Sequence, residues 1–284
     1  MSLKSPIKYF GGKGGLAKQI YEFFPNQSQY ETYIEPFGGG ASLLFFREPY
    51  GSEIYNDLNQ DVYSLFKVLS NTKLFKKFKH LCDLSYYSRD IRKEFKEDLK
   101  NNDLDTVERA YKFFYVNRTS MNGIGGFSIT TEYIRRTMSK STSDFLSSID
   151  NLRFIHDRLS KVLIESVDGL ELMNKYDRKK VFIYADPPYH QDTRGDTRYS
   201  IDMNNEQQNA FINLLLNVKN AMIMISGYDC EAYEKLTSNG WSQVDIEVNT
   251  ITGARKPKTK IETIWMNYTI KKEKIENSLF DDML

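Results

Sequence analysis

Cysteine is scarce in this chain: Cys82 and Cys230 are the only two among 284 residues. Two thiols so placed make no disulfide framework and show no zinc-ligand spacing, so a reducing cytoplasm is the expected setting. Histidine numbers three, with no cluster of ligand-type residues around any of them, and no metal is expected. Long apolar runs are missing as well. Stretches such as Ala221-Met222-Ile223-Met224-Ile225 fall far short of the roughly 20 residues that span a bilayer. No secretory leader is expected, because Lys4 and Lys8 run into Gly11-Gly12-Lys13 rather than an apolar segment. Repeats and low-complexity tracts are absent too.

What is present reads as an ordinary globular protein, 40% hydrophobic and 27% charged, long enough for one large domain or a main domain with an insertion. Charge is unevenly shared. Residues 67–140 carry 16 Lys+Arg against 9 Asp+Glu, a balance of +7 in a chain of formal net charge +1, which leaves about −6 elsewhere. Such a basic block suits a polyanion, though a solvated helical surface would show the same count.

Short apolar strands are predicted near 33–36, 53–56, 162–165, 181–185 and 221–226, with an alternating antiparallel pair near 243–249 and 262–268. Helical stretches at 14–24, 41–47, 59–69, 145–160 and 205–219 lie between them. Strands alternating with helices imply an α/β fold with an open, mostly parallel sheet. The interval 67–150 breaks the rhythm with helices at 72–81, 88–100 and 104–117, and is expected to be an inserted helical subdomain. The main domain is then 1–66 with 151–271, and 272–284 is a polar tail.

Three segments carry chemistry. "EPFGGGAS" (35–42) follows a strand and precedes a helix, and its glycines permit a tight turn and close approach of a ligand. Nineteen residues after Gly38, Asp57 ends the next strand, where an acid accepts from both hydroxyls of a ribose. A nucleoside-type cofactor fits this spacing better than a pyrophosphate, because the glycines do not follow GxGxxG. "KYFGGKGG" (8–15) fails the Walker pattern at Gly14, so ATP is not favoured; its Gly-Gly-Lys is suited to the carboxylate of an amino-acid-like ligand. "ADPPYH" (185–190) halts an apolar strand at two prolines that can neither extend it nor enter a helix. That rigid corner displays Asp186 and Tyr189 at the carboxyl end of a central strand, where open α/β sheets bind ligands.

In combination, Asp186-Pro187-Pro188-Tyr189, "EPFGGGAS" and Lys8-Tyr9-Phe10-Gly11-Gly12-Lys13 resemble the amino-methyltransferases of DNA. "ERAYKFFYVNRTSMNGIGG" (108–126) and "KTKIETIWMNY" (258–268) extend the likeness. The order of motifs resembles the Dam-type branch (D12 class, alpha group) of adenine-N6 methyltransferases, over roughly residues 4–271. The resemblance implies a Rossmann-like methyltransferase sheet, S-adenosylmethionine as cofactor and double-stranded DNA as partner, with 67–150 as target-recognition subdomain. It implies that Tyr9, Lys13, Asp57 and Asp186 contact the cofactor, with Phe37, Gly38, Gly39 and Gly40 along its methionine side. Asp186 and the Pro187 carbonyl would accept the N–H groups of a flipped adenine while Tyr189 stacks on the ring. DNA contacts are implied for Lys8, Arg118, Met121 and Asn122, and for Arg255, Lys256 and Lys258 in the segment between the last two strands.

Two departures stand out. Relatives specific for GATC resemble "YNGLCRYN" where this chain reads Met121-Asn122-Gly123-Ile124-Gly125-Gly126-Phe127-Ser128. The tyrosine is replaced by Met121 and the base-reading arginine by Gly126, so the GATC target does not transfer. The alternatives are an N4-cytosine methyltransferase, which shares the Pro-Pro corner, and a catalytically idle DNA-binding protein on the same fold. A cognate restriction endonuclease is a compatible partner.

Overall fold

The computed structural model describes residues 3–9, 11–130, 134–188, 203–250 and 258–270. Nine strands are found there: β1 (Thr32–Glu35), β2 (Ser52–Asn56), β3 (Ile134–Arg135), β4 (Met138–Ser139), β5 (Leu163–Glu165), β6 (Val181–Ala185), β7 (Met222–Gly227), β8 (Ser242–Thr250) and β9 (Lys258–Met266). Seven of them form one sheet in the order β5-β2-β1-β6-β7-β9-β8. Strands β5 through β7 run parallel; β9 is antiparallel to both β7 and β8.

Period-two alternation divides the buried side chains between the two faces of this sheet. Tyr33, Tyr55, Phe182, Tyr184, Met224 and Ile264 point to one core. Ile34, Ile54, Ile183, Ile223, Ile225 and Trp265 point to the other, under helices Gly169–Lys175, Asn205–Asn217 and Glu231–Ser238. All five residues of β6 are buried, as expected of a central parallel strand covered on both sides.

The helices of the interval 67–150 extend the first core. Phe78, Phe114, Tyr115 and Phe145 belong to the same apolar cluster as Phe66 and Leu69 of helix Gln60–Ser70. The expected boundary at 66/67 falls inside that helix, and the boundary at 150/151 falls between two helices.

Four sequence expectations are corrected. The helix expected at 145–160 is two helices, Lys140–Asp150 and Leu152–Leu159, joined at Asn151. The interval expected as helices followed by a loop and polar sequence also contains the β3–β4 hairpin, turned by Arg136 and Thr137 at φ 52° and 62°. Helices Gly169–Lys175 and Glu231–Ser238 were not anticipated; each is eight residues or fewer, too short for a clear apolar period. Lys258, Thr259 and Lys260 belong to β9 rather than to the loop before it, with Lys258 paired opposite Thr250.

Candidate active site

The strand order reverses between β1 and β6, and open α/β sheets bind ligands at the carboxyl ends of strands at such a switch point. "EPFGGGAS" leaves β1 there and Asp186-Pro187-Pro188 leaves β6. The tertiary fold thus brings together two motifs some 150 residues apart in the chain. Between them lies a cleft lined by Tyr9, Lys13, Phe37 to Gly40, Asp57, Asp186, Pro187 and their neighbours.

Close packing dictates the glycines. A Cβ on Gly38 would lie 2.1 Å from the Tyr55 ring, and one on Gly39, at φ +47°, would lie 2.7 Å from the Tyr9 ring. Tyr9 therefore lies over the turn, and the Tyr55 hydroxyl donates to the Gly39 carbonyl at 2.7 Å. Ala41 closes the turn at φ 54°, a left-handed conformation held because its N–H donates to Gly38 O at 2.7 Å. Asn56 at the end of β2 braces the assembly, donating to Pro36 O at 2.8 Å and Val167 O at 2.9 Å.

Asp57 spans the turn from the other side. It accepts the Gly39 N–H at 2.8 Å and the Asn59 N–H at 2.7 Å, while burial raises its carboxyl to about 6. Glu35 is raised to about 7, also by burial, against the Tyr33 hydroxyl that donates to it at 2.7 Å. Lys13 is buried; its ammonium donates to Asp186 Oδ1 at 2.8 Å and lies 3.2 Å from Glu262 Oε1. Burial opposes its charge, but the two carboxylates outweigh that and hold its pKa above the ordinary lysine range. Ser226 donates to the same Asp186 oxygen at 3.2 Å and is itself hydrogen-bonded to the Tyr184 hydroxyl at 2.8 Å. The protein thus engages Oδ1; among the described residues Oδ2 accepts nothing.

Phe37 reaches the far end of the cleft. Its ring would meet a Cβ on Gly169 at 2.5 Å and stands edge-on to Phe211 at 5.9 Å between centroids. Asp168 caps the adjoining helix through the N–H groups of Leu170 (2.9 Å) and Glu171 (3.1 Å), and also lines the cleft. The sequence reading did not single out Asp168, Gly169, Tyr184, Ser226, Glu262 or the buried charge of Glu35. Their common signal is position: Glu35, Tyr184 and Ser226 lie in the last two residues of a parallel strand, and Asp168 closely follows β5. Glu262 has no such signal, since it comes from an antiparallel strand.

The residues expected to face DNA group beside the cleft. Lys8 adjoins Tyr9, and its ammonium donates to the carbonyls of Arg118 (3.1 Å) and Ser120 (3.0 Å). Desolvation and the nearby Arg118 lower its pKa. Asn117 clasps the Lys8 backbone on both sides, at 2.8 and 2.9 Å, and a Cβ on Gly123 would collide with Lys8 O. Met121 (57% exposed) and Asn122, the latter at φ 50°, project from this junction. Arg118 is half-buried, and its Nε is a buried donor with no hydrogen-bond partner among the described residues. Tyr189, Arg255 and Lys256 lie outside the described residues, and only the backbone of Lys258 is within them.

A sheet of this order, with a glycine turn after its first strand and an acid-Pro-Pro corner across the switch point, is the Rossmann-like methyltransferase fold. The chain belongs to the D12 class N6 adenine-specific DNA methyltransferases, whose family model matches residues 9–253. It is an enzyme of adenine-N6 DNA methylation. It is 28% identical to the type II methyltransferase M.MjaIII of Methanocaldococcus jannaschii, over 94% of this chain and 100% of that protein. Identity to the DNA adenine methylase of Haemophilus influenzae is 26%, over 78% and 79% of the two chains. The type II methyltransferase M1.LlaDCHI of Lactococcus lactis subsp. cremoris is 24% identical over 66% of each.

Proposed function

We propose that the chain takes its methyl group from S-adenosylmethionine and delivers it to an adenine rotated out of duplex DNA into the cleft. The observation that carries this reading is the division of labour on Asp186: Oδ1 is held by Lys13 and Ser226, Oδ2 accepts nothing from the described residues, and Asp186 and Pro187 both line the cleft. The residues suit the cofactor. A turn that excludes side chains lies opposite an acid able to accept from ribose hydroxyls, and acids outnumber cations along the cleft, which fits a ligand with a cationic sulfur.

When bound, the cofactor supplies an electrophilic methyl group on that sulfur. Asp57 accepts from the ribose, and Lys13 and Asp186 face its amino-acid end. Adenine N6 is a poor nucleophile because its lone pair is delocalised into the ring. Asp186 Oδ2 and the Pro187 carbonyl accept its two hydrogens, which favours a pyramidal nitrogen, and Asp186 takes the proton shed after transfer. Tyr189 is proposed to stack on the base, offsetting part of the unstacking cost. Met121 and Asn122, exposed beside the cleft, enter the space the base leaves, while Lys8, Arg118 and the 255–258 lysines and arginine serve the backbone. Residues 67–150 are the target-recognition part of the chain. Gly126 cannot make the bidentate contact that reads guanine, so the target is proposed to differ from GATC. Relatives named type II methyltransferases favour pairing with a cognate restriction endonuclease.

Incubation with methyl-labelled cofactor and a panel of duplexes tests the reading. Label is expected in N6-methyladenine, outside GATC, and Asp186→Asn should lower the rate at least about 100-fold with an unchanged circular dichroism spectrum. Label confined to GATC would refute the target assignment, and label in N4-methylcytosine would refute the base. A duplex with 2-aminopurine at the target position should brighten on binding; a silent probe would count against flipping.

A further inference from the structure

Asp144 carries a negative charge where the chain otherwise gathers positive ones. It stands on helix Lys140–Asp150, one turn from the helix start, and each of its oxygens holds a cation. Oδ1 lies 3.2 Å from Nη1 of Arg135 on β3, and Oδ2 lies 2.6 Å from the Lys140 ammonium. Its charge also acts on Lys8 and Arg118, which meet at the foot of the Met121–Gly126 loop, where the Lys8 ammonium donates to the carbonyls of Arg118 and Ser120. Burial works against the Asp144 anion, but Lys140, Arg135 and Arg118 outweigh that and hold its carboxyl below the ordinary range. Four cations from four separate segments thus converge on one carboxylate. Helix stability does not call for it, because Lys before Asp at i,i+4 is the less favourable order.

We infer that Asp144 stands in for a DNA backbone phosphate, occupying the cations of the recognition subdomain until a duplex displaces it. This rests on the reading of residues 67–150 as the DNA-facing part. A backbone phosphate offers what Asp144 offers, one negative charge shared by two free oxygens. The pairs suit a temporary partner: the side chains of Arg135, Lys140 and Asp144 are 54%, 51% and 34% exposed. Ion pairs so open to water are weak and give way readily. An incoming phosphate takes over Arg135 and Lys140, and the carboxylate left behind repels the strand. Every duplex meets that repulsion, whatever its sequence, so Asp144 lowers affinity for the backbone and leaves the bases to decide where the enzyme stays. A cation already paired with Asp144 holds no counterion either, so engaging it releases none and salt dependence is shallower than the cations alone imply.

Fluorescence anisotropy of the full chain with a labelled duplex of random sequence, titrated over salt, tests this without turnover and without a known target. Asp144→Asn removes the charge and keeps the shape. It should tighten binding about three- to tenfold near 100 mM salt and steepen the plot of log affinity against log salt by about one. Asp144→Ala, which offers no amide to a phosphate, should show the same gain. Asp150→Asn, the same change at the exposed far end of the same helix, should shift affinity less than about twofold. Weaker binding by both Asp144 variants would overturn the inference in favour of a clasp that ties the hairpin to the helix. No change, or a gain matched by Asp150→Asn, would overturn it as well and leave Asp144 an ordinary surface charge. If the wild-type chain shows no salt-dependent binding, the DNA-facing reading of 67–150 fails and this inference with it. If it does, and only the Asp144 variants are unaltered, that reading stands alone.

Discussion

Asp57 is held by two backbone N–H groups, both of which favour its charged form, and burial still raises it to about 6. As an acceptor for ribose hydroxyls it works ionised, so cofactor affinity should fall about tenfold as pH is lowered from 7 to 5. Titration calorimetry at both values would show this, and Asp57→Asn should abolish the dependence together with much of the affinity. Glu35 makes a separate prediction about the fold. Its pKa is raised to about 7 in the folded chain from the ordinary glutamate value of 4.5, because burial disfavours the anion more than the Tyr33 hydroxyl favours it. Between those values the folded state binds more protons than the unfolded state, so stability is lost as pH rises. Glu35→Gln should therefore lose less stability than wild type between pH 5 and pH 8, by roughly 3 kcal/mol. Parallel losses in thermal melts of the two proteins would mean that Glu35 titrates like an ordinary carboxylate.

Elements place these residues with different degrees of help from the local sequence. The turn after β1 is local: glycines and Ala41 adopt left-handed or crowded conformations between a strand and a helix, and the pattern is readable in eight residues. The Met121–Gly126 loop is not self-supporting in the same way. Its ends pair through the Ser120–Phe127 bridge and Ser128 N–H to Thr119 O at 2.8 Å, but a distant helix ties it down. Arg92, from helix Arg89–Asp98, donates from Nε to Ser120 Oγ at 3.0 Å and from Nη2 to Gly125 O at 2.5 Å. Arg92→Ala should loosen the loop, weakening DNA binding and target discrimination by about tenfold while cofactor affinity is unchanged. Loss of cofactor affinity in the same variant would show that Arg92 supports the whole fold rather than the loop.

At the scale of the molecule, acids line the cleft at the switch point, whereas residues 67–140 carry the +7 balance and expose lysines such as Lys73, Lys76, Lys77, Lys93 and Lys96. A polyanion engaging that surface displaces counterions, so DNA affinity should fall steeply with salt, by about a hundredfold or more between 50 and 200 mM. Cofactor binding in its buried cleft should change little over the same range, and a flat DNA titration would refute the electrostatic part of the interface. The continuity of the core also bears on domain behaviour. Phe78, Phe114 and Phe145 share one apolar cluster with the first face of the sheet, so the helical interval should melt together with the main domain in a single transition.

The sequence by itself determined the seven strands of the main sheet, the glycine turn, the Asp-Pro-Pro corner and the family, because each rests on short-range rules: period-two burial, left-handed backbone and the missing proline N–H. Its limits fall where partners come from afar. Strand order alone brings Gly38 and Asp186 to one cleft, and the antiparallel return of β9 alone puts Glu262 3.2 Å from the Lys13 ammonium. The pKa values of Glu35 and Asp57 follow from burial, which no local pattern of charged residues reveals. Packing of helix Thr106–Thr119 on Gln60–Ser70 likewise merges an apparent insertion into the main core, since apolar faces of short helices find partners only in three dimensions.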